Sequence, residues 1–302
     1  MSQIEQSGYP INTSELTENL PENQADKFLV KFWGVRGLIP TPGEETNRYG
    51  GNTACVEMQV GTKNLIFDGG TGLRVLGKDW LQQQPEIVAH LFFTNAQTNR
   101  IQGFPFFACA FAPQNCFHIY GTAASNGASI KQSLGDQMLL PHFPYPLQVM
   151  DSKLQFYNLT PGEAIAIDDL AVKIILINDV TKSIGYRVTW KEYSVAYITD
   201  LKSEIDELEQ ETVMELTQGV DLLIANPGYI TSDIRDSQTP IDFYWQTAVD
   251  LAIKSDVKQL VFSNHHPNDN DDFLDKVQAT LKAEFEPASL AREGMVISID
   301  CS

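Results

Sequence analysis

Val88-Ala89-His90-Leu91-Phe92-Phe93 runs directly into Thr94-Asn95-Ala96-Gln97-Thr98-Asn99-Arg100, and then into Ile101-Gln102-Gly103-Phe104-Pro105-Phe106-Phe107. The first stretch is short and apolar, as a buried strand is, and the third predicts an apolar helix over 103–108. Between them lies a polar junction offering Asn95, Gln97, Asn99 and Arg100. Amide carbonyls are poor ligands for zinc or iron, which favour imidazole and thiolate. A guanidinium is a permanent cation with no lone pair to donate. This strand-to-helix junction is built from residues that do not suit a transition metal.

Outward from it, Phe28–Trp33 and Cys55–Val60 alternate apolar and polar residues as half-buried strands do. Asn64–Asp68 reads as a short buried strand, and a Gly-rich turn then leads into a helix over 72–83. Further strands are expected at 164–167, 171–177, 185–189, 195–198, 221–225 and 259–263. An acidic helix is expected from 204 toward 217, and another over 243–255 with Thr239 as a cap. Asn268-Asp269-Asn270-Asp271-Asp272 resembles a cation loop, but it lacks the Gly and closing Glu of a calcium hand. It is read as a helix N-terminus, where carboxylates favour the dipole. Residues 111–160 carry Phe111, Phe117, Tyr120, Phe143, Tyr145, Phe156 and Tyr157, with Pro141, Pro144 and Pro146, and are read as an aromatic insertion. They suit homodimer contacts, a substrate lid, or a cluster packing its own insertion. Residues 1–27 are polar and acidic without steady periodicity, which predicts a disordered leader.

The 302 residues suffice for one large α/β core. The net charge of −18 argues against sequence-independent nucleic-acid binding and against docking on anionic membranes. No apolar run is long enough for a transmembrane helix, and residues 1–6 lack a signal-peptide pattern. Cys55, Cys109, Cys116 and Cys301 show no metal or disulfide spacing. The cytoplasm is the expected compartment.

Several stretches together resemble the metallo-β-lactamase-fold hydrolases, in the branch of ribonuclease Z and the class II cyclic-nucleotide phosphodiesterases. They are Phe32-Trp33-Gly34-Val35-Arg36-Gly37, Arg48-Tyr49-Gly50-Gly51-Asn52-Thr53, Phe67-Asp68-Gly69-Gly70-Thr71-Gly72, Gly185-Tyr186-Arg187, Ala196-Tyr197-Ile198-Thr199-Asp200, Asp221-Leu222-Leu223-Ile224 and Ala291-Arg292-Glu293-Gly294-Met295. The resemblance implies an αββα four-layer sandwich over 28–302, two mixed β-sheets flanked by helices. It also implies two Zn, Mn or Fe ions held by a His-x-His-x-Asp-His motif. Those four ligand positions fall on Asn95, Gln97, Asn99 and Arg100. A fifth falls near Asn178-Asp179, the bridging Asp on Asp200, and the last His within Ser263–Pro267, at His265 or His266. The family's His-Asp or His-Glu pair falls on Ile224–Tyr229, and its substrate-contacting His on Thr239–Trp245; neither stretch contains a histidine.

The resemblance therefore implies a degenerate member, with no cofactor expected and Arg100 expected to pair with Asp200. Its function would be to bind an unidentified protein or small ligand. Two alternatives stay open. A single metal held by Asp179, Asp200 and His265 or His266 would keep phosphodiesterase activity. A nucleotide sensor would use Arg100 and Arg187 as anion anchors.

Overall fold

The alternation in Phe28–Gly34 (β1) and Cys55–Val60 (β2) puts Phe28, Val30, Phe32, Val56, Met58 and Val60 in the core between two sheets. In this computed structural model residues 27–202, 205–227 and 245–299 are described. The leader up to residue 26, the Gly228–Tyr229 stretch, the Thr239 cap and Cys301 lie outside the described residues.

The first sheet has seven strands. Besides β1 and β2 they are Lys63–Phe67 (β3), Val88–Phe92 (β4), Cys116–Gly121 (β5), Lys153–Asn158 (β6) and, from the far end of the chain, Val296–Ile299 (β14). Their order is β14-β1-β2-β3-β4-β5-β6. Pairing is antiparallel as far as β3 and parallel from β3 to β6.

The second sheet also has seven strands: Ala164–Ile167 (β7), Leu170–Asn178 (β8), Ser183–Trp190 (β9), Tyr193–Leu201 (β10), Leu222–Pro227 (β11), Leu260–Phe262 (β12) and Ala288–Leu290 (β13). Here β7 to β10 are antiparallel neighbours in sequence order, and β10 to β13 are parallel. Each half therefore repeats one plan, an antiparallel meander followed by parallel strands.

Phe67, Phe92, Tyr186 and Tyr197 are fully buried between the sheets. Each contributes roughly 1.5–3 kcal/mol by leaving water. On the outer face of the first sheet, Gly72–Gln83 (α1) buries Leu73, Leu76 and Trp80. The second sheet is covered by three helices, which follow two short ones, Thr98–Ile101 (α2) and Ile130–Asp136 (α3). They are Glu207–Thr217 (α4), Gln246–Lys254 (α5) and Asp271–Glu284 (α6). Asp206 and Glu209 form a capping box that starts α4, and Asn270 accepts from Phe273 N to start α6. This is the αββα sandwich that the resemblance implies. Among the described residues, no helix is long and apolar enough to cross a membrane.

Two local expectations are corrected. The helix expected at 103–108 is instead one α-turn, α2, followed by 3-10 turns at Phe104–Phe106 and Ala108–Phe111. Pro105 has no N–H to continue an α-helix. Residues 111–160 are not all insertion, because 116–121 and 153–158 are the sheet strands β5 and β6. The excursion from the sheet is confined to 122–152.

Candidate functional site

Strands β3, β4, β10, β11 and β12 all reach one rim of the sandwich at their C-terminal ends, where open parallel sheets place their loops. Asp68 and Asn264 follow β3 and β12, Thr94 and Asn95 follow β4, and Asp200 and Asn226 lie near the ends of β10 and β11. Asp68, Asp200 and Asn264 all have left-handed backbones, with φ of 62°, 57° and 63°. Asp and Asn tolerate that conformation better than other side chains with a Cβ.

The residue they surround is Arg100 on α2, only 1% exposed. Its helix is held against the β3 turn by backbone bonds from Gly69 N to Arg100 O (2.6 Å) and Gly103 N to Gly69 O (2.9 Å). The approach requires glycine, since a Cβ on Gly103 would stand 1.8 Å from the Gly70 carbonyl oxygen. Arg100 Nη1 donates to Asp68 Oδ2 at 3.2 Å, and Nη2 lies 3.5 Å from Asp200 Oδ1. The Asn264 amide, turned by its neighbours so that its oxygen faces the guanidinium, accepts from Nη1 at 2.6 Å and from Nη2 at 3.2 Å.

Each carboxylate has further donors. Asp68 accepts from Thr94 N (2.8 Å), Thr94 Oγ1 (2.9 Å) and Tyr197 OH (3.0 Å). Asp200 accepts from Asn95 Nδ2 (2.7 Å) and Ser183 Oγ (2.8 Å). Burial pushes the Asp68 carboxyl above the usual carboxylate range, against the opposing pull of Arg100 and then of Thr94 and Tyr197. Burial, and then the Asp68 charge, push the Tyr197 phenol well above its ordinary value. The result is a buried network in which one fixed cation sits between two carboxylates.

The remaining candidates lie elsewhere. Gln97 is exposed, and its backbone N–H donates to Asn95 Oδ1 at 2.9 Å; Asn99 is buried beside the Gly70 turn. Asn178 donates to the Asp200 carbonyl (3.3 Å), whereas Asp179 is exposed and pairs with Lys182. Asn264, not His265 or His266, is the residue of its loop that faces Arg100.

The reason is a register set by Arg36. His265 N donates to Val35 O, Gly37 N donates to His265 O, and the buried Arg36 side chain donates to Gly50 O and Asp269 O, each at 2.7 Å. The His265 ring is thereby turned onto Ala291 O (2.8 Å) and edge-on to Tyr49. Burial lowers its pKa to about 4. His266 Nδ1 accepts from Asn268 N at 3.2 Å. Arg187 donates to Gln218 O (2.8 Å) and Ser194 Oγ (3.0 Å), past the C-terminal end of α4, and does not join Arg100.

These positions decide whether a metal fits. Asp179, Asp200, His265 and His266 do not converge. Among the described residues no group of three or more His, Cys, Asp or Glu side chains is placed to hold an ion. The two carboxylates that do converge are already bound to a guanidinium. The donor set does not fit the two-metal centre that the resemblance implies. Sequence reasoning did not name Asp68, Thr94, Ser183, Tyr197 and Asn264 as site residues. The signal available was the Asp68-Gly69-Gly70 turn, where an acid after a buried strand precedes two glycines.

No protein-family model and no curated protein matches the sequence. Solved structures do match over nearly the whole chain. The metallo-β-lactamase fold protein YhfI from Bacillus subtilis is 17% identical with a TM-score of 0.62, covering 90% of this chain and 99% of its own. A diphosphatase of the PhnP family is 16% identical with a TM-score of 0.63, covering 90% and 98%. The short form of human tRNase Z is 18% identical with a TM-score of 0.61, covering 90% and 99%. The fold is the metallo-β-lactamase fold.

Proposed function

We propose that this chain is a catalytically degenerate protein on a metallo-hydrolase scaffold, in which the Arg100 guanidinium replaces the metal ions. It acts by binding a protein or small-molecule partner and works in the cytoplasm. One observation carries this reading: Arg100 is fully buried and pairs with both Asp68 and Asp200. A cation held in that position neutralises the two carboxylates, as a metal would, yet it can neither activate water nor act as a Lewis acid. Asn95, Ser183 and Asn264 support the reading, because they spend their polar groups on this network. The described cysteines, Cys55, Cys109 and Cys116, are free thiols, in keeping with a reducing compartment.

The test is elemental mass spectrometry on protein purified without chelator or histidine tag, alongside hydrolysis of bis(p-nitrophenyl) phosphate with added zinc, manganese or iron. Metal well below one ion per chain and no turnover above buffer are expected. About one tightly bound ion per chain, or metal-dependent turnover lost on mutating Asp200, would overturn the reading.

A further inference from the structure

On the side of the sandwich opposite β13 and β14, the edge strands β6 and β7 leave a cleft of about 700 Å³ between the sheets. One of its walls is formed by His90, His118, Tyr120 and Tyr157, the outer rungs of a ladder of rings that crosses four strands from the core. Phe67 on β3 stacks on Phe92 on β4 (centroids 5.3 Å apart), Phe92 on Tyr120 on β5 (4.6 Å), and Tyr120 on Tyr157 on β6 (4.8 Å). A second rail joins it, His90 on His118 (4.8 Å) and His118 on Tyr157 (5.9 Å). The ring planes are within 19° of parallel throughout. The spacing follows the distance of about 4.8 Å between neighbouring strands.

The ladder begins fully buried at Phe67 and ends at Tyr157, 40% exposed on the last strand of the sheet. Both rails terminate on that one ring. Its phenol is oriented by His118 Nδ1 (3.1 Å) and Gln155 Oε1 (3.2 Å). Among the described residues β6 is the last strand of the sheet, so no strand follows beyond Tyr157 on the side away from β5.

We propose that this cleft binds a planar heteroaromatic ring, neutral or cationic, as the next rung on Tyr157. Stacking on an aromatic side chain supplies affinity because every such ring has a π-face. The polar rim supplies hydrogen bonding through Asn64 and Asn158. Charge sets the class of ligand. Lys63 is paired with Asp168, which leaves Glu163 as the uncompensated charge on the lining, and the chain as a whole carries −18. A base or nucleoside suits that lining, and a nucleotide does not. The site is separate from the Arg100 network and stands whether or not that reading does.

The test is titration of the full chain with adenosine, adenosine 5′-monophosphate and ribose, followed by saturation-transfer NMR and calorimetry. Adenosine is expected to bind saturably, the monophosphate at least about five-fold more weakly, and ribose not at all. Tyr157→Ala is expected to weaken adenosine about ten-fold or more, with Tyr157→Phe staying close to wild type because the ring face remains. Glu163→Gln is expected to narrow the gap between nucleoside and nucleotide. No saturable adenosine binding, a tighter monophosphate, or unchanged affinity in a folded Tyr157→Ala would each overturn the proposal.

Discussion

Arg100 and Asp68 form an ion pair with Nη1 3.2 Å from Oδ2, and neither side chain is more than 1% exposed to solvent. Arg100 lies on α2, after β4, and Asp68 in the turn after β3. The same guanidinium reaches Asp200 and Asn264 on the second sheet. One side chain therefore fastens the two sheets at the rim. A buried pair of this kind is destabilised far more by loss of one partner than by replacement of both, because desolvation of the orphaned charge is left uncompensated.

Arg100→Met is accordingly expected to destabilise the protein by roughly 3–5 kcal/mol at neutral pH. Adding Asp68→Asn should recover part of that loss. Urea denaturation of the two variants checks both statements. A loss below about 1 kcal/mol in the single variant, the range of exposed pairs, would mean that the network does not hold the sheets together.

Tyr197→Phe removes one donor from a buried carboxylate and is expected to cost about 1–3 kcal/mol. The cost should depend on pH. A carboxyl raised in the folded state contributes stability that is fully present below its unfolded pKa and is lost as pH rises through the folded value. Asp68 is shifted upward, and losing the Tyr197 hydroxyl shifts it further. The deficit measured by denaturation at pH 8 should therefore exceed that at pH 5.

Gly103→Ala tests the packing that presents Arg100. The added Cβ would fall 1.8 Å from Gly70 O, so α2 must move away from the β3 turn. We expect a loss of roughly 3 kcal/mol, at the upper end for overpacking. Gly127→Ala serves as a control: its added Cβ would meet nothing within 4 Å, and its positive φ restricts the cost to local backbone strain.

The contribution of the buried histidines to stability should fall below about pH 6.5. Burial depresses both His265 and His90 to about 4. Groups lowered in this way stabilise the folded state above the unfolded pKa, and that contribution is lost as pH falls toward 4. For the fully buried His265 the linked energy is roughly 3 kcal/mol. Asp269, raised by burial to about 6, acts in the opposite sense, since its contribution grows as pH falls. Asp68 and Glu57, also raised by burial, act in the same sense as Asp269, so the histidine contribution is read from the difference between wild type and a histidine variant. His265→Gln, which keeps a donor for Ala291 O, should flatten the profile of thermal midpoints between pH 7 and 4.5. An unchanged slope would show that His265 titrates normally.

The strands were legible where alternation or apolar runs mark them, as in Phe28–Gly34, Cys55–Val60 and Leu170–Asn178. The strands Ala288–Leu290 and Val296–Ile299 were not, because three or four residues carry too little periodicity. Pro105 was visible in the sequence, but the apolar run around it masked its effect. At the site, the sequence pointed to Asn95, Arg100 and Asp200, and these meet in the structure. It did not reveal that Asn264 turns inward while His265 turns away. That choice is made by Arg36, whose partners in that loop lie about 230 positions along the chain. Side-chain contacts at such separation leave no local trace.

The pairing of β1 with β14, Phe28 opposite Ile299 and Lys31 opposite Val296, bears on how the chain matures during synthesis. Translation delivers the N-terminal end first, and domains generally fold as units as they emerge. Here the first sheet lacks a strand until residues 296–299 leave the ribosome, so β1 waits with one edge unpaired. Native contacts at such long sequence separation slow folding. An open edge during that wait is a template for pairing with other chains. Truncation behind Gly294 should leave this edge permanently open and send the nascent protein toward aggregation, whatever the state of the rim around Arg100.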